Sequence, residues 1–224
     1  MVYPTVKAID VLLDLLFPPK CPFCHQLLKE GESLFCAACQ KGLPWSAGPQ
    51  GQQDLEFLSG CVSPLFYREA VPDGVHRFKF GNRPGYANAF GLLMAQSVRD
   101  AWPGVTFDAV TWVPLSNRRK RKRGYDQAEL LAKEVGSRLS LPIQNILVKK
   151  RHTPAQSMQM ADSTRKANVL GAYEAVKTAG VAGKVLLLCD DVVTTGSTLS
   201  ECARMLRTAG CAQVYAVTLA RARK

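Results

Sequence analysis

Residues 185–199, which read VLLLCDDVVTTGSTL, constrain the fold more than any other part of the chain. An apolar run leads into Asp190 and Asp191, and a loop of hydroxyl residues around Gly196 follows. Such a run predicts a strand buried in the centre of a parallel sheet. Because a helix is predicted directly after the loop, backbone N–H groups and the positive end of the helix dipole should meet at the carboxyl edge of the sheet.

That edge has the chemistry of a phosphate-binding site. Gly196 would let the backbone approach an anion closely. Hydroxyl donors would come from four neighbours of this glycine, namely Thr194, Thr195, Ser197 and Thr198. Carboxylates do not suit a phosphate, so Asp190 and Asp191 would accept hydrogen bonds from sugar hydroxyls, directly or through a hydrated magnesium ion. A helix cap beside two solvated acids is the alternative, although the loop has more hydroxyls than capping requires.

The rest of the C-terminal part alternates between strand and helix patterns. Strands are predicted at Ala109–Pro114, Asn145–Lys149, Val185–Asp190 and Val214–Leu219, and helices at Tyr86–Asp100, Tyr125–Leu139 and Thr198–Ala209. This order predicts an α/β fold with an open, mostly parallel sheet and helices on both faces. Ligands of such folds lie outside the carboxyl ends of the strands.

We expect two units along the chain. Residues 1–55 would hold a short amphipathic helix ending near Phe17, a cysteine-rich module and a polar linker, Ser46–Asp54. Residues 56–224 would form the α/β domain, with 56–107 as an accessory hood and 108–224 as its core. No stretch approaches 18 continuous apolar residues, so a membrane span is not expected. No secretory signal is visible either, and a cytoplasmic location is expected.

Four of the eight cysteines form two Cys-x-x-Cys pairs, Cys21/Cys24 and Cys36/Cys39, separated by 11 residues. Four thiolates at this spacing are typical of a tetrahedral, structural Zn²⁺ site with no open position for catalysis. Two disulfides would need an oxidising compartment, which no export signal supports. A redox motif usually comes as one pair beside a βαβ unit.

The positive charge is unevenly distributed. Residues 1–60 carry four lysines against six acids, a net of −2, whereas residues 61–224 carry 25 basic against 12 acidic residues, a net of +13. The run Asn117–Arg123 (NRRKRKR) alone holds six consecutive cations after a predicted strand. On charge alone it would contact the phosphates of a small molecule or of nucleic acid, or form a solvated face.

The phosphate loop with its two acids resembles that of the type I phosphoribosyltransferases. The order of the other motifs narrows the resemblance to the ComF family of competence-associated, phosphoribosyltransferase-like proteins. These motifs are the paired cysteines, Arg77-Phe-Lys79-Phe80, Val113-Pro-Leu-Ser116, Arg123-Gly-Tyr-Asp-Gln127, Gln156 and Arg165. The resemblance covers nearly the whole chain, but Asp126 stands where the family usually has asparagine, which puts a polar contact there in doubt.

The resemblance implies roles for further residues. A pyrophosphate loop would comprise Leu115, Ser116, Asn117 and Arg118, and the basic side chains of the run would stabilise the charge on departing pyrophosphate. Residues 151–168, with Gln156 and Arg165, would form a mobile flap that closes over the substrate. Arg123 and Gln127 would contact the ligand, and Lys79 would either contact it or form a salt bridge on its helix.

Two functions fit these expectations. The first is a transferase that binds phosphoribosyl pyrophosphate with Mg²⁺, places Asp190 and Asp191 at the ribose, and passes ribose 5-phosphate to a nitrogen acceptor. The second is a non-catalytic module that binds single-stranded DNA with the same fold, with a competence helicase or another DNA-uptake protein as a partner. A ligand sensor is a weaker third option. The sequence does not identify the acceptor.

Overall fold

The structure is a computed structural model, and it describes residues 18–32, 34–46, 48–150, 169–176 and 180–222. The amphipathic helix predicted before Pro18, and the flap residues Gln156 and Arg165, therefore lie outside the described residues. Within them, no helix has the length and apolar character needed to cross a membrane.

The strands are, in chain order, β1 Gln52–Gln53, β2 Gly60–Val62, β3 Leu65–Phe66, β4 Ala109–Trp112, β5 Leu147–Lys149, β6 Tyr173–Ala175, β7 Val185–Val193 and β8 Gln213–Arg221. The α-helices are α1 Ala37–Gly42, α2 Val71–Phe80, α3 Tyr86–Ala101, α4 Asn117–Arg123, α5 Gln127–Leu139 and α6 Ser197–Thr208.

The main sheet has the strand order β1-β2-β8-β7-β4, and β3 also pairs with β8. Strands β2, β3 and β7 each pair with β8 in parallel, and β4 pairs with β7 in parallel. Strand β1 is antiparallel to β2. The predicted open, mostly parallel sheet is thus confirmed. Its central strand β7 is apolar because both of its faces are covered. Strands β5 and β6 form a separate antiparallel ribbon on either side of residues 151–168.

Two hydrophobic clusters cover opposite faces of this sheet. Helices α2, α3 and α5 and the cysteine module pack on one face, which receives Leu187 and Cys189 of β7. Helix α6 and the β5–β6 ribbon pack on the other, which receives Leu186 and Leu188. Since successive side chains of a strand point to opposite faces, Asp190 and Asp191 are directed to different sides of the sheet.

Two stretches have more regular structure than their composition predicts. The polar stretch Ser46–Asp54, expected to be a linker, contains regular structure, since Gly48–Gly51 forms a 3₁₀ turn and β1 pairs with β2. The Ser46 N–H also donates to the Pro64 carbonyl at 2.7 Å. Backbone groups at a sheet edge can pair whatever the polarity of the side chains, so a polar, glycine-rich composition does not exclude a strand.

The cationic run Asn117–Arg123, expected as a loop, is helix α4. Arginine and lysine have high helix propensities, and Gly124 ends the helix with a left-handed φ of 81°. The next helix begins at Gln127 rather than at the predicted Tyr125, because Asp126 caps it.

Candidate functional site

A cavity of about 390 Å³ lies at the carboxyl edge of the main sheet. Many of the predicted site residues line it: Lys79, Leu115, Arg123, Gln127, Asp190, Asp191, Thr194, Thr195, Gly196, Ser197 and Thr198. The end of β7, the loop before α6, the segment after β4 and helix α2 therefore meet at this cavity. Ser116 and Asn117 are not among the lining residues, and Arg118 is exposed, whereas Arg119 lines the cavity.

Gly196 is the N-cap of α6, with a φ of +79° and no side chain to cap the helix. A Cβ at this position would lie 2.3 Å from Leu55 Cδ2. Leu55 fills the space where the Cβ would lie, while Gly196 also lines the cavity, so close approach of a phosphate to its backbone stays a prediction. Thr195 and Ser197 exchange a hydroxyl hydrogen bond of 2.9 Å within the loop. The left-handed backbone thus favours glycine, and a larger residue would also require Leu55 to move.

The two adjacent acids have different surroundings. Asp191 Oδ1 accepts from Lys79 Nζ at 2.7 Å, so the second acid is ion-paired with helix α2. Asp190 Oδ1 accepts from the Asp191 N–H at 2.8 Å. Burial, followed by the charge of Asp191, raises the pKa of Asp190 to about 8. The pair therefore combines one carboxyl group that is ion-paired with Lys79 and one whose pKa is raised.

Arg123 and Gln127 form a joined wall of the cavity. Arg123 Nη1 donates to Gln127 Oε1 at 2.7 Å, and the guanidinium lies 4.7 Å from the centre of the Phe80 ring. Burial lowers the pKa of Arg123, yet an arginine remains charged at neutral pH. Gln127 Nε2 is buried and has no hydrogen-bond partner among the described residues. A donor left unpaired in a cavity wall is available to a ligand.

Asp126, which replaces the usual asparagine, has a structural role that sequence reasoning missed. Its Oδ1 accepts from the N–H groups of Ala128 and Glu129 and caps α5. Its Oδ2 accepts from the Leu115 N–H at 2.9 Å. Burial raises the pKa of this carboxyl group. The doubtful contact is therefore present, and it fixes the segment after β4 to the start of α5.

Lys149 and Tyr173 also line the cavity and were absent from the sequence-based site. They are direct cross-strand partners in the β5–β6 ribbon, and Lys149 Nζ lies 3.0 Å from Tyr173 Oη. No local motif marks them, because they are 24 residues apart in the chain. The remaining signal was that residues 145–149 were predicted to be a strand beside the flap.

The sulfur atoms of Cys21, Cys24, Cys36 and Cys39 all lie within 4.8 Å of one another. A tetrahedral site with Zn–S bonds of about 2.3 Å places sulfurs about 3.8 Å apart, and Cys24 Sγ and Cys36 Sγ are 3.6 Å apart. None of these cysteines is in a disulfide. Four converging thiols at this spacing fit a structural Zn²⁺.

Helix α2 packs against the first cysteine pair. Arg77 donates hydrogen bonds to the carbonyls of Phe23 and Pro22, which lie between Cys21 and Cys24. A Cβ at Gly74 would lie 2.9 Å from the Pro22 carbonyl oxygen, so the glycine permits this close approach. The same helix carries Lys79 to Asp191. The cysteine module and the cavity are therefore connected through one helix.

Comparison with known proteins gives two family matches. Residues 126–224 match a phosphoribosyl transferase domain, and residues 12–51 match a double zinc ribbon domain. The first match contains the loop at 194–198, and the second contains the four clustered cysteines.

Similar proteins cover most of the chain. Competence protein F of Haemophilus influenzae is 30% identical over 91% of this chain and 97% of its own length. The DNA utilization protein YhgH of Salmonella typhimurium is 31% identical over 90% of this chain and 83% of its own. Competence protein ComFC of Bacillus subtilis is 28% identical over 93% and 88%, respectively.

Among solved structures, glutamine phosphoribosylpyrophosphate amidotransferase from B. subtilis aligns with a TM-score of 0.43. It is 23% identical, and the alignment covers 64% of this chain and 30% of that one.

Proposed function

The chain belongs to the ComF family of competence-associated, phosphoribosyltransferase-like proteins, and we propose that it binds phosphoribosyl pyrophosphate with Mg²⁺ and transfers ribose 5-phosphate to a nitrogen acceptor. The observation that carries the proposal is that Asp190, Asp191, the 194–198 loop and Leu115 line the same cavity. Relatives are named for competence and DNA utilisation, and we propose the same setting for this activity.

In this proposal the 5′-phosphate lies against the 194–198 loop at the start of α6. The hydroxyls and N–H groups of the loop would donate to it, and the helix dipole would favour the negative charge. The ribose hydroxyls would lie over Asp190 and Asp191. The pyrophosphate would lie at the segment after β4. The hydrogen bond of 2.9 Å from the Leu115 N–H to Asp126 holds this segment in place.

The oxygen donors in the cavity fit magnesium. Mg²⁺ prefers carboxylate and phosphate oxygens and usually retains several waters. Asp190 and Asp191 would hold the hydrated ion together with oxygens of the ligand. When bound, the ion would neutralise negative charge that develops on pyrophosphate as it leaves.

The reaction needs position and charge more than a side-chain nucleophile. Breaking the bond between C1′ and the pyrophosphate oxygen leaves positive charge on the ribose and negative charge on the leaving group. Arg119 and Arg123 line the cavity and would stabilise that negative charge. The nitrogen acceptor would then form the new bond to C1′ and release its proton to water.

Calorimetric titration with phosphoribosyl pyrophosphate and Mg²⁺ tests the binding step. Wild type should release or absorb measurable heat, and the Asp190→Asn, Asp191→Asn double variant should bind at least tenfold more weakly, since two acceptors of the ribose are weakened. Asp100→Asn, an exposed acid at the end of α3, is the matched control. Equal affinity of the double variant, or no binding by wild type, would refute the proposal.

Turnover requires a second assay. Release of pyrophosphate would be followed with nucleobases, ammonia or oligonucleotide as the acceptor. The double Asp variant again serves as the inactive control. Binding without release for any acceptor would leave a ligand-binding protein rather than a transferase.

A second candidate function is binding of single-stranded DNA, favoured by the exposed helix α4. Arg121 and Lys122 are exposed on this helix, whereas Lys120 pairs with Glu129 at 2.8 Å. A row of exposed cations suits the phosphates of nucleic acid. In this function a competence helicase or another DNA-uptake protein would be the partner.

Affinity for an oligonucleotide measured at several salt concentrations tests this second function. Arg121→Gln with Lys122→Gln should flatten the plot of log affinity against log salt by about 1.4, which is about 0.7 for each of two lost phosphate contacts. Lys29→Gln with Lys41→Gln removes two exposed lysines from the N-terminal part and should leave the slope unchanged. An unchanged slope in the α4 variant would exclude this helix as the contact.

A further inference from the structure

Lys149 and Tyr173 form a pair that no predicted role accounts for. They face each other across the β5–β6 ribbon, with Lys149 Nζ 3.0 Å from Tyr173 Oη and 4.8 Å from the centre of the tyrosine ring. Tyr173 is 5% exposed, so the ribbon fixes the phenol firmly. The lysine is therefore held in a defined position rather than free in solvent.

Among the described residues, Lys149 is hydrogen-bonded to a phenol rather than ion-paired with a carboxylate. The side chain is partly buried and lines the cavity with Asp190 and Leu115. In the described part of the chain, no carboxylate lies within ion-pair distance of its amine, and its hydrogen-bond partner is a neutral hydroxyl. Burying an ammonium group without an opposite charge is unfavourable.

Other lysines show how this differs from the ordinary case. Lys79, in the same cavity, is paired with Asp191 at 2.7 Å. Lys150, the next residue after Lys149, is exposed and paired with Glu174. Lys149 is thus the cavity lysine that a negative ligand group would satisfy.

Charge near Lys149 also indicates which end of a ligand it would meet. Burial, and then repulsion from Arg119, lowers the pKa of Lys149, and the charge of Asp190 opposes this shift more weakly. Arg119 lies on α4, which follows Leu115 and the segment assigned to pyrophosphate. The 194–198 loop, assigned to the 5′-phosphate, is rich in neutral donors instead. Two cations that repel each other in one cavity suit a highly charged diphosphate.

We propose that Lys149, positioned by Tyr173, binds the pyrophosphate group of phosphoribosyl pyrophosphate. This inference rests on the proposed function, because it concerns the same cavity and the same ligand. It adds a contact from the ribbon beside the flap to those of the segment after β4. Tyr173 acts through Lys149, and burial raises the pKa of its phenol, so that the hydroxyl stays neutral.

Separate titrations of inorganic pyrophosphate and of ribose 5-phosphate, each with Mg²⁺, test the assignment. Lys149→Met should bind pyrophosphate about tenfold more weakly or worse, since a hydrogen bond to a charged group is lost. The affinity for ribose 5-phosphate should change by less than about twofold, because its phosphate occupies the other end of the cavity. Tyr173→Phe should weaken pyrophosphate binding in the same direction but less.

Lys150→Met is the matched control, since it removes a neighbouring lysine that is exposed. It should bind both ligands as wild type does. Lys149→Gln provides the same comparison if the methionine variant does not fold, and retained ribose 5-phosphate binding shows that the cavity is intact.

The outcomes separate this inference from the proposed function. Wild type that binds neither ligand refutes both. A second outcome is that wild type binds both ligands while Lys149→Met keeps its affinity for both, or loses affinity for both equally. That result refutes only the role of Lys149. Selective loss of pyrophosphate in Lys149→Met supports it.

Discussion

Lys79 Nζ lies 2.7 Å from Asp191 Oδ1, and these residues are separated by 112 positions in the chain. Lys79 is in the last turn of α2, whose Arg77 holds the carbonyls of Phe23 and Pro22 in the first cysteine pair. One helix therefore contacts the zinc-binding module at one side and an acid of the cavity at the other. Contacts of the cysteine module and of the cavity thus meet on the same helix.

Breaking the Lys79–Asp191 pair should destabilise the fold more than breaking an exposed pair. The two side chains are 22% and 15% exposed, so water screens their attraction only in part. We expect a double-mutant cycle of Lys79→Met and Asp191→Asn to give a coupling energy of about 0.5–3 kcal/mol. Urea unfolding of the four proteins measures it.

The exposed pair Lys120–Glu129 provides the comparison, with its lysine 51% exposed. Its cycle should give about 0.2–1 kcal/mol. Equal coupling in the two cycles would show that the cavity pair is as well screened as a surface pair.

Loss of one thiolate should empty the zinc-binding module and loosen α2. Cys24→Ser replaces an exposed ligand, so it changes little besides the metal site. We expect the zinc content to fall well below that of wild type, with a lower melting temperature. A dye that reports released zinc measures the first quantity, and thermal unfolding measures the second.

Cys211→Ala is the control for this experiment, because Cys211 lies outside the cluster and donates to the carbonyls of Lys184 and Gln213. It should retain zinc. Unchanged zinc content in Cys24→Ser would show that this cysteine is not a ligand.

Several features followed from local sequence because their cause is local. The apolar run of β7 predicts a central strand, and the spacing of the cysteines predicts a metal site. Both are supported by the sheet order and by sulfur atoms within 4.8 Å of one another. The loop at 194–198 lies at the carboxyl edge, as the parallel order requires.

Other features depend on contacts between distant segments and could not be predicted. The Lys149–Tyr173 pair needs the register of the β5–β6 ribbon, and the Leu115–Asp126 hydrogen bond needs the position of α5 against β4. The sequence of the cationic run shows its charge but does not determine its conformation, because arginine and lysine suit both an exposed helix and a loop. The sequence marks Asp126 as unusual, but its role depends on the separate partners of its two carboxylate oxygens, which only the structure shows.

Substituting Gly196 should disrupt the loop for two separable reasons. Gly196→Ala places a methyl group 2.3 Å from Leu55 Cδ2 and strains a backbone with φ of +79°. We expect a loss of stability of about 1–2 kcal/mol or more from the backbone alone. Leu55→Ala removes the contact but not the backbone strain. Gly196→Ala should therefore cost less stability in the Leu55→Ala background than in wild type, but the cost should not vanish. Urea unfolding measures both costs, and the absence of any cost in the Leu55→Ala background would contradict a contribution from backbone strain.

The raised pKa of Asp190 should make stability and ligand binding depend on pH in a defined direction. The folded-state pKa is about 8, mainly because of burial, and an unfolded aspartate titrates near 3.9. Between about pH 4 and pH 8 the folded protein keeps a proton that the unfolded chain has released. The contribution of Asp190 to stability therefore falls as pH rises through that window.

Asp190→Asn removes this dependence, so its stability relative to wild type should increase from pH 5 to pH 8 and then level off. Glu32→Gln is an opposite control, because hydrogen bonds from the N–H groups of Lys29 and Ala37 lower the pKa of Glu32. Its stability difference from wild type should stay constant over pH 5–8, where that carboxylate is ionised in both states. If phosphoribosyl pyrophosphate with Mg²⁺ requires ionised Asp190, binding should release a proton below pH 8, and its affinity should rise with pH up to that value. Calorimetry in two buffers of different ionisation enthalpy measures the proton release, and a pH-independent affinity would show that Asp190 binds in its protonated form.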